Sequence, residues 1–269
     1  MRRFLRNLLL FAALVLLLKG WNAWIQTEEI AVASSALPEA FDGYRVLLLT
    51  DLHGRSFGKG NEPLLTAAAA AQPDLIALCG DLLDDQTQIT QVMALAEKLS
   101  AIAPCCYVTG NHEWAAGCVN ELSARLTEAG VLVLDDSFAL LEREGEVIVL
   151  AGFCDPNGFT SKEKQRKMLE NLRKEYENPY ILLLHHRNDP PEKFAALGVQ
   201  TVLCGHGHGG VVRLPFVGGL LGTDRTLFPK YTSGLYRAEQ TSLVVSRGLG
   251  GTRLLCRPHL PVVILRAEK

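Results

Sequence analysis

Histidine, aspartate and asparagine residues gather in five short segments of this chain, and each segment follows an apolar run. All of the seven histidines except His259 lie in these segments. In chain order the segments contain Asp51 with His53, Asp81, Asn111 with His112, His185 with His186, and His206 with His208. Carboxylate and imidazole groups bind borderline divalent ions such as Mn²⁺, Fe²⁺ and Zn²⁺. The pattern therefore predicts a metal site that needs no cysteine ligand.

Each of these residues also has a purely structural interpretation when it is taken alone. Asp81 could cap a helix, Asn111 could lie in a turn, and a single histidine could form a structural hydrogen bond. Six histidines concentrated in the same five segments favour the metal site over these alternatives.

The segments need elements that bring them together, and the apolar runs before them provide strands. The run Val46–Leu49 is short, apolar and followed by polar residues, which is typical of a strand buried on both faces of a parallel sheet. Similar runs predict strands over 73–79, 105–109, 180–184 and 199–204, with others over 29–33, 131–134, 146–150, 242–246 and 261–265. In open α/β sheets, ligands bind outside the carboxyl ends of such strands.

Helical patterns alternate with these strands, which indicates a layered α/β protein. They cover residues 62–71, 87–101, 120–129, 162–175 and 191–197. The formal net charge of −2 argues against broad binding to nucleic acid, and no nucleic-acid partner is expected. The seven cysteines show no zinc-knuckle spacing, so we predict buried and mostly reduced thiols.

The N-terminus begins with three arginines among its first six residues and continues with the apolar run Leu8–Leu18. These eleven residues span only about 16 Å as a helix, which suits a signal-peptide core. Counted from Phe4 to Ile25, with Arg6 and Lys19 reaching towards the interfaces, the segment could also be a tilted membrane anchor.

We favour an uncleaved signal-anchor for this segment. The only A-x-A cleavage pattern, Ala31-Val32-Ala33, lies well beyond the apolar run. The arginines would keep the N-terminus in the cytoplasm. Residues 1–28 are thus predicted to be anchor and linker, and 29–269 a domain on the outer side of the cell membrane; a buried N-terminal helix is the alternative.

The five segments resemble the motifs of the calcineurin-like metallophosphoesterase superfamily. Its pattern of D-x-H, GD, GNH-[DE], a single H and GH-x-H stands here as DLH, GD, GNHE, HH and GHGH, in that order over roughly residues 41–265. The later runs GHGHGGVVRLPFVGG, LFPKYTSGLY and SRGLGG resemble the membrane-associated bacterial phosphodiesterase branch. The resemblance implies a four-layer αββα sandwich with two packed mixed sheets.

The same resemblance implies two divalent metal ions, Mn²⁺, Fe²⁺ or Zn²⁺. Asp51, His53 and His208 would bind the first ion, and Asn111, His206 and one histidine of the pair His185–His186 the second; we favour His186. Asp81 would bridge both, and a bridging hydroxide would attack the phosphorus. His112 would be the general acid or transition-state stabiliser, with a hydrogen-bonding role as the alternative.

Three further groups have open interpretations. Glu113 could orient His112 or face solvent. Arg55 and Arg187 are candidate phosphate-binding residues, although each could equally be a solvated surface arginine. The apolar residues of a glycine-rich insertion could line a substrate or membrane-facing pocket, or form a local core, which we favour: Phe216, Leu220, Leu221, Leu227 and Phe228.

The expected function is metal-dependent hydrolysis of a phosphodiester or pyrophosphate, with a lipid-linked substrate as one hypothesis. A general phosphomonoesterase, a non-catalytic scaffold of the same fold and a nuclease are the alternatives. Retention of every motif residue favours an enzyme over a scaffold.

Overall fold

The computed structural model describes residues 23–214 and 216–268, together with residues 3, 4, 6, 7, 10 and 20. Its first sheet has six strands in the order β1-β14-β2-β3-β4-β5. These strands are β1 (Gln26–Ser34), β2 (Arg45–Leu49), β3 (Leu75–Cys79), β4 (Cys105–Val108), β5 (Leu132–Val133) and β14 (His259–Ala267). Strands β2 to β5 are parallel, and β14 runs antiparallel to β2 but parallel to β1.

The second sheet also has six strands, in the order β12-β13-β9-β8-β7-β6. Its members are β6 (Ser137–Arg143), β7 (Glu146–Gly152), β8 (Ile181–Leu184), β9 (Thr201–Cys204), β12 (Gly234–Ala238) and β13 (Thr241–Val245). The four inner strands are parallel and the two edge strands antiparallel. A separate hairpin joins β10 (Val212–Leu214) to β11 (Gly218–Leu221).

Helices cover the outer faces of both sheets. They are α1 (Glu62–Ala70), α2 (Ile89–Ser100), α3 (Asn111–Ala115), α4 (Val119–Glu128), α5 (Lys162–Glu175) and α6 (Pro191–Ala195). Short 3-10 turns occur at Glu39–Phe41, Lys59–Asn61 and Gln86–Gln88. The five helices predicted between residues 62 and 197 are present, whereas β6, β10, β11, β12 and α3 were not predicted.

Three apolar cores separate the layers. The inner faces of the two sheets pack against each other through residues such as Leu48 and Leu182. Leu99 of α2 and Leu122 of α4 pack on the outer face of the first sheet. Leu172 of α5 and Phe194 of α6 pack on the outer face of the second. The predicted four-layer αββα sandwich with two mixed sheets is therefore confirmed.

The parallel register places the motif segments at one edge of the sandwich. Leu49 pairs with Leu78, and Cys79 pairs with Val108, so β2, β3 and β4 end side by side. In the second sheet Leu184 pairs with Leu203, so β8 and β9 end together as well. All seven cysteines lie in the described part of the chain, and all are buried and free.

Among the described residues, no helix is long and apolar enough to cross a membrane. The run Leu8–Leu18 of the predicted anchor lies, except for Leu10, outside those residues, so the anchor stays a prediction. Strand β1 begins at Gln26, three residues before the domain boundary drawn from the sequence.

Candidate metal centre

Asp81 lies at the middle of the predicted site. This buried residue follows β3, and its Oδ2 lies 3.2 Å from His186 Nε2, 3.9 Å from His53 Nε2 and 4.0 Å from His112 Nε2. Its Oδ1 accepts a hydrogen bond from the backbone N–H of His112, at 2.8 Å. One carboxylate thus faces histidines from three other strand ends.

Asp51 and Asn111 complete the cluster on either side of Asp81. His208 Nε2 lies 3.8 Å from Asp51 Oδ1, and the same oxygen accepts the backbone N–H of His206 at 2.9 Å. On the other side, His186 Nε2 lies 3.2 Å from Asn111 Oδ1 and 3.1 Å from His206 Nδ1. The structure therefore brings all seven predicted ligands and His112 to one place.

The donor atoms form three overlapping groups, each with its ligand atoms within 4.8 Å of one another. The groups are Asp51–His53–His208, His53–Asp81–His112 and Asp81–His186–His206. The first and third groups share no residue and match the two predicted ions, with Asp81 next to both. The buried ring nitrogens His53 Nε2 and His208 Nδ1 find no hydrogen-bond partner among the described residues. Buried polar atoms rarely lack a partner, so this donor set fits metal ions.

The backbone of the cluster is unusual. Five predicted ligands adopt left-handed φ angles between 49° and 65°: Asp51, His53, Asp81, His206 and His208. Such angles cost a residue with a Cβ roughly 1–2 kcal/mol and concentrate at functional sites. Regular folding would not require this strain at three separate strand ends, so it indicates a site whose side-chain directions matter.

Two glycines allow the close packing of the cluster. A Cβ at Gly110 would lie 2.3 Å from the backbone nitrogen and Oδ1 of Asp81. Gly251 has φ +74°, and a Cβ there would lie 2.3 Å from Cε1 of His208. Any larger residue at either position would displace a predicted ligand.

The electrostatics of the cluster favour positive charge between its side chains. Burial raises the pKa of Asp81, but the charge of His186 and hydrogen bonds from His186 and the backbone lower it by more than burial raises it. The carboxyl group therefore stays ionised. Burial lowers the pKa of His186, yet the Asp81 carboxylate outweighs it and raises the pKa to about 9. Burial and the neighbouring charges of His186 and Arg187 lower the pKa of His206 to about 3, which keeps that ring neutral and able to bind a cation.

His185 lies apart from the cluster. Its ring packs edge-on against Phe153 and Phe194, at centroid distances of 6.0 and 5.5 Å, and its Nε2 lies 3.7 Å from Asp189. Successive residues of an extended chain point to opposite faces, so only one histidine of the pair reaches the site. That residue is His186.

Asp84 was not singled out from the sequence. Its Oδ1 lies 2.5 Å from His53 Nδ1 and 2.9 Å from His112 Nδ1. In the sequence Asp84 follows Asp81 by three residues, with Leu82 and Leu83 between them, and this spacing alone does not mark it as a partner of two histidines. A carboxylate in this position fixes the ring orientation of both histidines.

Glu113 neither orients the His112 ring nor faces solvent, so both interpretations of this residue are wrong. It is buried, and its carboxyl accepts backbone N–H groups of Gly110, Asp81 and Leu82 at 2.8, 3.1 and 2.6 Å. Burial and the nearby charge of Asp81 raise the pKa of Glu113 to about 7. The residue holds the loop after β3 against the start of α3.

Arg187 lies at the border of the cluster. Its Nε and Nη2 donate to the two oxygens of the buried Asp155, at 2.6 and 2.9 Å, and its Nη1 lies 3.2 Å from His206 Nε2. A groove of about 630 Å³ opens beside His206. Its charged lining residues are Lys162, Arg187, Lys193 and Lys230, with Asp189 and Asp224.

Arg55, the other candidate phosphate-binding arginine, contacts Leu249 and Phe57. Its Nη1 donates to the carbonyl of Leu249 at 3.0 Å, and its guanidinium carbon lies 4.8 Å from the centre of the Phe57 ring. These contacts tie the loop after His53 to the loop before Gly251.

The fold and the Asp–His cluster define a metallophosphoesterase. Residues 44–210 match the family model described as calcineurin-like phosphoesterase, and the chain belongs to that family. It is a metal-dependent phosphoester hydrolase, and members of this family typically bind two divalent metal ions.

Two curated relatives match nearly the whole chain. The uncharacterized metallophosphoesterase YkuE of Bacillus subtilis (strain 168) is 29% identical over 260 residues, covering 90% of this chain and 86% of its own. The phosphodiesterase YaeI of Escherichia coli (strain K12) is 27% identical over 264 residues, covering 91% and 89%. The solved structure of TT1561 from Thermus thermophilus has a TM-score of 0.51 at 13% identity, covering 77% of this chain and 90% of that one, which supports the fold.

Proposed function

We propose that this protein hydrolyses a phosphodiester or pyrophosphate bond with the help of two divalent metal ions. The observation that carries the proposal is the position of Asp81, within 4.0 Å of three histidines from separate segments, one of which is His112. Asp51, His53 and His208 would hold one ion, and Asn111, His186 and His206 the other, with Asp81 between them. When bound, the ions would lower the pKa of a bound water and offset charge on the phosphate.

The residues of the chain would supply the remaining functions. The His112 side chain is 41% exposed, and its Nδ1 lies 2.9 Å from Asp84 Oδ1 while its Nε2 lies 4.0 Å from Asp81 Oδ2. Its Nε2 therefore faces the cluster and is placed to donate a proton to the leaving oxygen. Arg187, anchored on Asp155, would bind a non-bridging phosphate oxygen from the groove.

A diester or pyrophosphate substrate is favoured over a monoester by the groove and by the relative YaeI. A volume of about 630 Å³ is sufficient for a substituent on each side of the phosphorus. The four cations of its lining outnumber its two carboxylates, as expected for an anionic substrate. YaeI is named a phosphodiesterase.

We further propose that the predicted anchor holds the protein at the outer side of the cell membrane and that the substrate is lipid-linked. The apolar run Leu8–Leu18 and the arginines before it support the location. Leu227 and Phe228, exposed on the segment that borders the groove, support an apolar substituent. A reporter enzyme that is active only outside the cytoplasm, fused after Lys269, would test this orientation, and an inactive fusion would contradict it.

The test of the reaction uses the full chain in detergent, stripped of metal with a chelator and resupplied with Mn²⁺, Fe²⁺, Zn²⁺ or Mg²⁺. Hydrolysis of bis-p-nitrophenyl phosphate is compared with that of p-nitrophenyl phosphate, in wild type and in the Asp81→Asn and His112→Asn variants. We expect metal-restored diester hydrolysis that both variants lose. A protein that binds two ions but cleaves only the monoester would overturn the diester assignment.

A further inference from the structure

Four large apolar side chains are exposed on the segment that follows the GHGH motif. Phe216, Val217, Leu227 and Phe228 have relative exposures of 110%, 58%, 69% and 62%; we call these four residues the apolar rim. A single exposed apolar residue is ordinary, but four within thirteen residues form a patch that needs a partner. The expectation of a local core is therefore wrong for Phe216, Leu227 and Phe228, whereas Leu220 and Leu221 are half-buried.

The apolar rim has two halves, Phe216 with Val217 and Leu227 with Phe228, which lie at opposite ends of strand β11. Leu214 pairs with Gly218, so Phe216 and Val217 lie in the turn of the β10–β11 hairpin. At the other end of β11, Leu221 bridges Leu227, and the N–H of Phe228 donates to the carbonyl of Leu220 at 2.9 Å. Three residues of strand separate the two halves by about 10 Å. The rim is thus part of an ordered three-segment unit.

Beside the first half of the rim lies a cavity of about 540 Å³ lined by three arginines, Arg213, Arg247 and Arg257. Phe216 and Val217 are also part of its lining. Arg247 is nearly buried; it donates to Gln26 and Ser233, at 2.9 Å each, and lies 3.7 Å from Glu28. Arg213 donates to the carbonyl of Gly209 at 3.0 Å. The described lining of the cavity contains these three arginines and no carboxylate, so it favours an anionic ligand.

The N-terminal segment reaches the same face of the molecule. Arg257 donates through Nε to the carbonyl of Trp24 at 3.1 Å, and its guanidinium carbon lies 5.1 Å from the centre of that ring. The Trp24 ring is 72% exposed. The apolar run predicted to insert into a membrane ends at Leu18, six residues before Trp24, and tryptophan is typical of the membrane–water interface.

We propose that the apolar rim and the arginine cavity form a docking surface for the anionic phospholipids of a bilayer. The rim would enter the boundary between headgroups and acyl chains, and the arginines would bind lipid phosphates. Charge complementarity and the arrival of the N-terminal segment on this face favour a bilayer over a second protein. Because Thr226 and Pro229, on either side of Leu227 and Phe228, line the groove beside His206, docking would place that groove at the membrane surface.

The test places an environment-sensitive fluorophore on the full chain reconstituted in vesicles. The seven native cysteines are buried, so an exposed Phe216→Cys residue can be labelled selectively. Leu140→Cys is the matched control, because Leu140 is exposed on β6, at the edge of the second sheet opposite β12. In vesicles that contain phosphatidylglycerol, we expect brighter, blue-shifted emission from position 216 and an unchanged spectrum from position 140.

Charge dependence is tested with a second pair of variants in the labelled protein. Arg257→Gln should lower the ratio of docked to free probe about fivefold, the effect of one arginine near an anionic surface. Arg237→Gln, on the exposed part of β12, should leave the ratio unchanged. Hydrolysis of bis-p-nitrophenyl phosphate in detergent should stay at the wild-type rate in the Phe216→Cys and Arg257→Gln proteins, which shows that they are folded.

Three results would overturn the docking surface. One is an unchanged spectrum at position 216 while the chain remains in the vesicles. The second is an equal response at position 140. The third is the same response in purely zwitterionic phosphatidylcholine vesicles, which would remove the role of the arginines. None of these results depends on the reaction catalysed, so the proposed function could stand or fall independently.

Discussion

Asp84 contacts His112 through the same carboxylate oxygen that contacts His53. The distances from Oδ1 are 2.9 Å to His112 Nδ1 and 2.5 Å to His53 Nδ1. The two rings stand edge-on to each other, with centroids 4.6 Å apart. One residue therefore orients a predicted metal ligand and the predicted proton donor together.

Replacing Asp84 should impair both functions. We expect Asp84→Asn to lower kcat and the affinity for metal by roughly 10–100-fold, as is typical for partners of metal-binding histidines. The measurements are diester hydrolysis at saturating metal and metal content after dialysis. Asp85→Asn is the matched control, because Asp85 is the next residue and its side chain accepts from Thr87 rather than contacting a histidine. Equal kcat values for the two variants would contradict the positioning role.

The histidine pair can be separated by two single substitutions. His186→Gln should lower activity by at least about 100-fold and reduce bound metal, since a direct ligand should matter more than its orienting partners. His185→Gln should keep the metal content and the kcat, because His185 contacts Phe153, Phe194 and Asp189 rather than the cluster. Metal analysis of the two purified proteins shows which histidine is the ligand. Loss of metal from His185→Gln alone would assign His185 as the ligand instead of His186.

The Arg187–Asp155 ion pair should affect stability as well as substrate binding. Burial raises the pKa of Asp155, but hydrogen bonds and charge from Arg187 lower it below its usual value. Arg187→Gln leaves this carboxylate buried without its partner, which should cost roughly 2–4 kcal/mol of unfolding free energy, less than for a fully buried pair because Arg187 is partly exposed. It should also raise KM for the diester.

Two further proteins test this interpretation. The double variant Arg187→Gln/Asp155→Asn should recover part of the lost stability while KM stays high. Arg166→Gln removes an exposed arginine that binds Glu163, and because exposed ion pairs contribute little, it should leave the stability close to that of the wild type. Chemical denaturation measures the free energy of unfolding of both proteins. A double variant less stable than Arg187→Gln would contradict the view that the unpaired buried charge of Asp155 causes the loss of stability.

His259, which is not among the predicted metal ligands, should make the stability of the protein depend on pH. Burial lowers its pKa to about 4, although hydrogen bonding to Glu28 acts in the opposite direction. The N–H of Arg247 donates to its Nδ1 at 3.2 Å, and its Nε2 lies 3.0 Å from Glu28. Protonation of Nδ1 would remove the first of these bonds, so the folded state prefers the neutral ring.

The direction of the pH dependence follows from the preference of the folded state for the neutral ring. In the unfolded chain the His259 ring binds a proton near pH 6.5, whereas in the folded chain it does so only near pH 4. The contribution of the neutral ring to the free energy of unfolding is therefore complete above pH 6.5 and is lost as the pH falls towards 4. The loss amounts to roughly 2–3 kcal/mol at about pH 4.5. Denaturation of wild type and His259→Gln near pH 7 and about pH 4.5 measures it as the difference between the two proteins. A pH dependence of the same size in both would exclude His259 as the cause.

The parts of the fold that follow from the sequence are those with a strong apolar signal. Runs such as Val46–Leu49 are buried on both faces, and the ranges predicted for the central strands agree with the structure within two residues. Strand β6 was not predicted because it lies at a sheet edge, where its residues alternate between half-buried and exposed. Helix α3 has only five residues, too few to show a helical period.

The predicted ligands could be identified because metal-binding residue types are rare and recur at strand ends. Asp84 could not be identified from the sequence, since only the fold shows that this exposed loop carboxylate reaches two histidines from different segments. The choice between His185 and His186 depended on strand register, which the pattern did not determine. The exposure of the apolar rim was also beyond the sequence, because apolar residues in a long segment are as compatible with a small core.

The position of β14 has a consequence for synthesis of the protein on the ribosome. This strand is synthesised after every other strand of its sheet, yet it pairs with β1 on one side and β2 on the other. The loop at Gly248–Gly251, which packs against Asp51 and His208, comes only shortly before it. We therefore expect the nascent chain to be unable to complete its first sheet, or to acquire metal, until β14 has left the exit tunnel.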